Sequence, residues 1–156
     1  MDESNQKRKY MLGLSGEFLV AGELLRREIS AAVTYGNAKK ADVIAVSGKI
    51  ALPIEVKTTQ EQKWVVGGRM PESNDSIWVL VYLPTATSQP AEFFVLTGTE
   101  LYKSMKPRND ADQKKYVDKH GRPFEGRGVY SVRHNEVSNY QGAWGKIAVA
   151  LEVAYS

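Results

Sequence analysis

Cysteine is absent from the 156 residues, and histidine occurs only at His120 and His134. Without cysteine there is no disulfide, no thiolate zinc site and no cysteine nucleophile. Its absence also suits a reducing compartment. The histidines have no partner at metal-ligand spacing, so each is expected at the surface and a histidine-metal centre is not expected. No apolar run is long enough to cross a bilayer. The segment Met1–Tyr10 is polar, with no apolar stretch of signal-peptide type. A cytoplasmic protein is the expectation. Charge of neither sign dominates: 21 Lys and Arg against 18 Asp and Glu leave a net +3. A pI near 9.0 permits nucleic-acid binding without demanding it.

The remaining composition is ordinary for a soluble globular protein, with 42% hydrophobic and 25% charged residues. The length predicts one domain, residues 1–156, able to bury a core without staples. Residues 1–12 read as a mobile or helical lead-in, with Lys7, Arg8 and Lys9 as a solvated basic run. A helix is expected from Ser15 to about Ser30, with Ser15 as N-cap. Its apolar face would carry Leu14, Phe18, Ala21, Leu25 and Ile29. Strands follow at 32–35, 43–46 and 50–57, with turns at Gly36-Asn37 and Ser47–Lys49. Pro53 would mark an irregular or edge point.

Buried strands are expected at 77–83 and 92–96, and a short helix at 99–105. Residues 106–127 are charged and carry Gly121, Pro123 and Gly126, which suggests a long surface excursion. A strand at 129–132 and a helix at 136–147, bearing Tyr140 and Trp144, complete the pattern. The apolar tail 148–155 fits either strand or helix, and could join a partner chain. The order predicts an α/β sandwich with a mixed central sheet flanked by helices.

One stretch asks for a chemical explanation. Ala41-Asp42-Val43-Ile44-Ala45 is followed by Ile54-Glu55-Val56-Lys57. Side chains alternate along a strand, so Ile54 and Val56 would face the core while Glu55 and Lys57 share the opposite face. The tight turn between the strands predicts an antiparallel hairpin that brings Asp42 beside Glu55 and Lys57. Two carboxylates meeting at one point repel, and a divalent cation would relieve that. Mg²⁺ takes oxygen ligands and keeps waters, so one or two carboxylates can hold it. A neighbouring lysine could orient the attacking water or neutralise a phosphorane-like transition state. On a helical wheel of about 100° per residue, Glu17 falls between Leu14, Ala21 and Leu24. A carboxylate on that inward arc needs a partner or a metal. Glu28 shares the arc but lies near the helix end, where solvent or a lysine would satisfy it.

Gly16-Glu17 on a helix, Ala41-Asp42-Val43-Ile44-Ala45 and Ile54-Glu55-Val56-Lys57-Thr58-Thr59 together resemble the PD-(D/E)XK nuclease superfamily. The likeness is greatest to its small Holliday-junction-resolvase-like and restriction-endonuclease-like members. It covers about residues 13–60, with Ala41 standing where the motif name has proline. The resemblance implies a restriction-endonuclease-like α/β/α sandwich and a Mg²⁺-dependent endodeoxyribonuclease, with Mn²⁺ able to substitute. It implies Asp42, Glu55 and the Val56 carbonyl as metal ligands, Lys57 acting on the water, and Glu17 reaching the metal through water. DNA is the implied partner.

Plainer readings exist for each residue. Asp42 could cap a turn, and Glu55 with Lys57 could be a solvated charge pair. Thr58, Thr59, Gln60 and Lys63 could contact phosphate or form an ordinary polar loop. Trp64, Trp78 and Trp144 are expected in core or interface. The basic residues between Lys103 and Arg133 could face DNA or only solvent. A non-catalytic nucleic-acid-binding module on the same fold is the alternative function, and an interaction protein a third. For a nuclease, a homodimer is expected, because duplex cleavage is easiest with two sites about a two-fold axis. No groove-reading element is apparent.

Overall fold

A computed structural model describes residues 2–35, 41–126 and 128–155. The expected Gly36-Asn37 turn and the Lys39-Lys40 pair lie outside the described residues. Helix α1 runs from Glu3 to Arg26 and therefore absorbs the lead-in. Its N-cap is Asp2, whose carboxylate accepts from the Ser4 N–H, and not Ser15. Ser15 instead lies mid-helix and donates its hydroxyl to the Leu12 carbonyl. The helix ends four residues earlier than expected. Glu28 takes a left-handed φ of 61°, and the Ile29 and Glu28 amides close back on the Leu24 and Leu25 carbonyls. Glu23 accepts from Arg26 and Arg27 in that last turn, and the Arg27 hydrogen bond holds its carboxyl below the usual range.

The buried face of α1 also differs from expectation. It consists of Gly16, Glu17, Val20, Ala21 and Leu24, whereas Phe18 and Leu25 are exposed. Both sets keep helical spacing, and only the position of the sheet decides which is covered.

The strands are β1 (Ser30–Val33), β2 (Val43–Ser47), β3 (Ile50–Thr59), β4 (Lys63–Gly67), β5 (Ile77–Tyr82), β6 (Glu92–Thr97) and β7 (Tyr130–Arg133). Five of them form a sheet in the order β1-β2-β3-β5-β6, parallel only between β3 and β5. β4, which sequence patterning missed, pairs antiparallel with β7 as a separate ribbon. Pro53 stands inside central strand β3, opposite Ile44. The parallel pairing to β5 begins only at Ile54, so the missing N–H falls before the stretch flanked on both sides.

Helix α2 spans Gly98–His120, much longer than the expected short helix, and replaces most of the surface excursion. A reciprocal capping box between Thr97 and Glu100 starts it, and Gly121 at φ 70° ends it. The segment expected as helix 136–147 forms two 3-10 turns, His134–Glu136 and Ser138–Tyr140. Helix α3, Gly145–Tyr155, follows, so the ambiguous tail is helical. Its Ile147 and Leu151 lie in the core, and Val149 is exposed.

Two apolar layers sandwich the sheet. On one face α1 and α3 pack Val20, Leu24, Ile147 and Leu151 over Val43, Ile54, Val56 and Val79. On the other, α2 and the β4-β7 ribbon pack Leu101, Met105, Trp64 and Val132 over Leu80, Phe94 and Leu96. Each fully buried aliphatic side chain stabilises by about 1.5–3 kcal/mol. The three tryptophans divide as expected: Trp64 and Trp144 are core, and Trp78 is partly covered. His134, expected at the surface, is half-buried. It stacks on Trp64 at 6.0 Å, meets Phe94 and Tyr82 edge-on, and bonds Glu92 at 3.1 Å. His120 is exposed and packs on Tyr116. No helix among the described residues is long and apolar enough to cross a membrane.

Candidate active site

The hairpin geometry follows from its turn. Ser47 pairs with Ile50 across Gly48 and Lys49, and Gly48 supplies the positive φ of 58° that so tight a loop needs. From that closure the register runs outward to Val43 opposite Ile54. Continuing it by one step sets Asp42 opposite Glu55. β3 outruns β2: its register with β2 ends at Ile54, while its pairing with β5 runs on to Thr59.

Asp42 stands where the register with β2 ends. Its N–H donates to the Ile54 carbonyl at 3.1 Å, and its Oδ2 accepts the Val56 N–H at 2.8 Å. The carboxylate is thus anchored on the main chain between Glu55 and Lys57. A residue's N–H and C=O face the same neighbouring strand in an extended chain. The Val56 carbonyl therefore faces the same side as its amide.

Strand alternation separates the remaining groups. Val43, Ile54 and Val56 belong to the core beneath α1, so Asp42, Glu55 and Lys57 share the opposite face. All three are partly exposed. Glu17 comes from α1, which covers the Ile54 and Val56 face. It is 9% exposed and is the charged residue classed as buried among the described residues.

Thr58 shows how closely α1 approaches. A Cβ built on Gly16 would lie 1.9 Å from Thr58 Oγ1, so only glycine permits this crossing. That close approach fixes Glu17, the next residue, against the outrunning part of β3. The Thr58 hydroxyl is buried there, with no hydrogen-bond partner among the described residues. Lys57, Thr58, Thr59, Gln60 and Lys63 line one cleft of about 770 Å³ together with residues of α1.

Sequence reasoning missed Thr34. Its N–H donates to the Asp42 carbonyl at 3.0 Å. Its hydroxyl bridges the Ala41 and Asp42 carbonyls, the latter at 3.2 Å. It clamps the chain at the point where Asp42 must turn toward β3. A β-branched residue just past a short strand carries no signal of that role.

The donor set suits a hard divalent cation. Asp42 lies at the strand edge that the Val56 carbonyl faces, Glu55 lies beside Val56, and Mg²⁺ needs only one or two carboxylates with waters. Among the described residues no group of three or more His, Cys, Asp or Glu side chains is placed to hold a metal. The donors that could hold one are the Asp42 and Glu55 carboxylates with the Val56 carbonyl.

No protein-family model matches the sequence, and no curated protein does. Among solved structures, the chain is similar to a bacterial homing endonuclease, I-Ssp6803I, at a TM-score of 0.55 and 14% identity, covering 94% of this chain and 95% of that one. The fold is restriction-endonuclease-like. The chain is also similar to Hjc, a Holliday junction resolvase from the archaeal hyperthermophile Archaeoglobus fulgidus. There the TM-score is 0.46 at 12% identity, covering 81% of this chain and 93% of that one. Within the restriction-endonuclease-like fold seen here, the hairpin β2-β3 and the crossing helix α1 define the candidate site.

Proposed function

We propose that this chain is a Mg²⁺-dependent endodeoxyribonuclease, a single catalytic domain that hydrolyses phosphodiester bonds at the β2-β3 edge. The observation that carries this reading is the Asp42 carboxylate bonded to the Val56 amide, between Glu55 and Lys57. A register one residue out would send Asp42 to the core face. The similarity to a homing endonuclease supports the reading at the level of fold.

In this proposal Asp42, Glu55 and the Val56 carbonyl would hold the cation, and Mn²⁺ would substitute for Mg²⁺. When bound, the ion supplies a Lewis acid for the phosphoryl oxygens and lowers the pKa of water. Lys57, on the same face as Glu55, directs its ammonium at the water that attacks phosphorus and at the charge that develops there. Glu17 acts from the helix side through water. The Val56 amide, by holding Asp42 Oδ2, fixes the rotamer of that carboxylate before substrate arrives. Thr58, Thr59, Gln60 and Lys63 continue along the cleft and would position the DNA backbone.

The test is a cleavage assay on supercoiled plasmid and branched DNA, in Mg²⁺, Mn²⁺ and chelator. Wild type is compared with Lys57→Ala and Asp42→Asn, each checked for folding by circular dichroism. Loss of cleavage by about 10²-fold or more in both folded variants is expected. Cleavage that survives both changes would remove this site. Tight DNA binding with no cleavage in either metal would leave a nucleic-acid-binding module instead.

A further inference from the structure

The inner face of α1 changes character along its length. Residues at the 3–4 spacing form a single stripe: Asn5, Arg8, Lys9, Leu12, Gly13, Gly16, Glu17, Val20, Ala21 and Leu24. From Gly16 onward the stripe is buried against the sheet. Before Gly16 it runs past the edge of the sheet, and Asn5 to Gly13 become one wall of the 770 Å³ cleft. The opposite wall is the end of β3 and the start of β4, from Lys57 to Val65.

The cleft lining holds Arg8, Lys9, Lys57 and Lys63 against a single acid, Glu61. Arg8 reaches across to the Gln60 amide oxygen at 3.3 Å, a neutral partner. Among the described residues no carboxylate lies within ion-pair distance of Arg8, Lys9 or Lys63. The basic residues that do have acidic partners, at 26, 27, 106, 108 and 146, all lie outside this cleft.

We propose that this cleft is a phosphate-backbone track, in which Arg8 and Lys9 on α1 and Lys63 on β4 grip one DNA strand leading away from Lys57. The inference rests on the nuclease reading for its destination, because the track opens onto the residue assigned to the reacting phosphate. Asn5 to Gly13 covers about 12 Å of helix axis, enough for about three phosphates at roughly 3.4 Å per strand residue. Contacts from Arg8, Lys9 and Lys63 to phosphate would be indifferent to base sequence.

The experiment measures binding of a fluorescein-labelled 25-base-pair duplex by anisotropy, in EDTA so that no cleavage can occur, between 50 and 300 mM salt. Arg8→Ala/Lys9→Ala is compared with wild type, with the exchange Arg8→Lys/Lys9→Arg, and with Lys114→Ala/Lys115→Ala on the exposed part of α2. Cleavage in Mg²⁺ is followed in parallel. The α1 double variant is expected to bind at least tenfold more weakly. Its log–log salt slope should be smaller by about 2, at about 0.9 for each phosphate that is no longer neutralised. The charge-preserving exchange should keep the slope, and the α2 variant should change little. Unchanged affinity and slope in the α1 variant would overturn the track, as would an equal loss in the α2 variant or absence of wild-type binding at 50 mM salt. Cleavage retained alongside unchanged binding would reject the track and keep the nuclease. A loss of binding confined to the α1 variant, in a protein that never cleaves, would keep the track and reject the nuclease.

Discussion

Thr34 bears on Asp42 through the main chain. Its amide and hydroxyl hold the Ala41 and Asp42 carbonyls, and Asp42 in turn holds the Val56 amide. Thr34→Val keeps the shape and the N–H but deletes the hydroxyl. The variant should lose about 1 kcal/mol of stability and about 10–100-fold in single-turnover cleavage, because small misplacements of a catalytic group are costly. DNA affinity in chelator should hardly change, and Thr34→Ser should recover most of the rate. A rate equal to wild type in Thr34→Val would show that the β2 register alone orients Asp42. His134 makes a related point about single residues. Nothing in its local sequence announces the aromatic surround of Trp64, Tyr82 and Phe94, which come from three other strands.

At the level of elements, α1 crosses β3 where Gly16 meets Thr58. Adding a methyl group there must push the helix outward or drive Thr58 from its rotamer. Gly16→Ala should destabilise by about 1–3 kcal/mol despite the better helix propensity of alanine. Adding Thr58→Ala to the same chain removes the nearest atom and should restore part of the stability, a coupling that chemical denaturation of the four-member cycle can measure. Additive effects would mean that the helix and strand do not bear on each other at this point. Helix α2 shows the opposite balance between local signal and outcome. The charge density with Gly121, Pro123 and Gly126 suggests a loop, yet the capping box at Thr97 and the anchoring of Leu101 and Met105 carry the helix past Pro107 through to His120. Lys146 of α3 binds Glu100 at 2.7 Å, and Arg108 binds Glu136 at 2.7 Å, so α2 is tied at its first turn and in its middle.

For the whole molecule, the proposed function gives one β2-β3 edge one set of reacting groups, which would serve one strand. Cutting both strands of a duplex is simplest with two copies related by a two-fold axis. Light scattering coupled to size exclusion should therefore find two copies on a duplex of about 25 base pairs, and nicked circles should precede linear DNA in a plasmid time course. A monomer on DNA that nicks without linearising would confine the enzyme to single-strand events. A dimer would need a partner surface other than the inner face of α3, since Ile147 and Leu151 are already in the core.

The sequence alone determined the β2-β3 hairpin, the alternation that sets Glu55 and Lys57 against Ile54 and Val56, and the placement of Asp42 opposite them. Those features are local: period 2, a two-residue turn and a register counted from it leave little freedom. It also set Glu17 on the same helix face as Ala21 and Leu24, because helical phase is set by residue spacing. Tertiary structure decided the rest. It selected Val20 and Leu24 over Phe18 and Leu25 as the covered face of α1, since two apolar stripes compete on that helix and only the sheet's position chooses between them. It paired β4 with β7 across more than sixty residues of sequence, a pairing that no local pattern specifies. It also brought the basic start of α1 alongside Lys57, because a straight helix that packs its second half must carry its first half past the edge of the sheet.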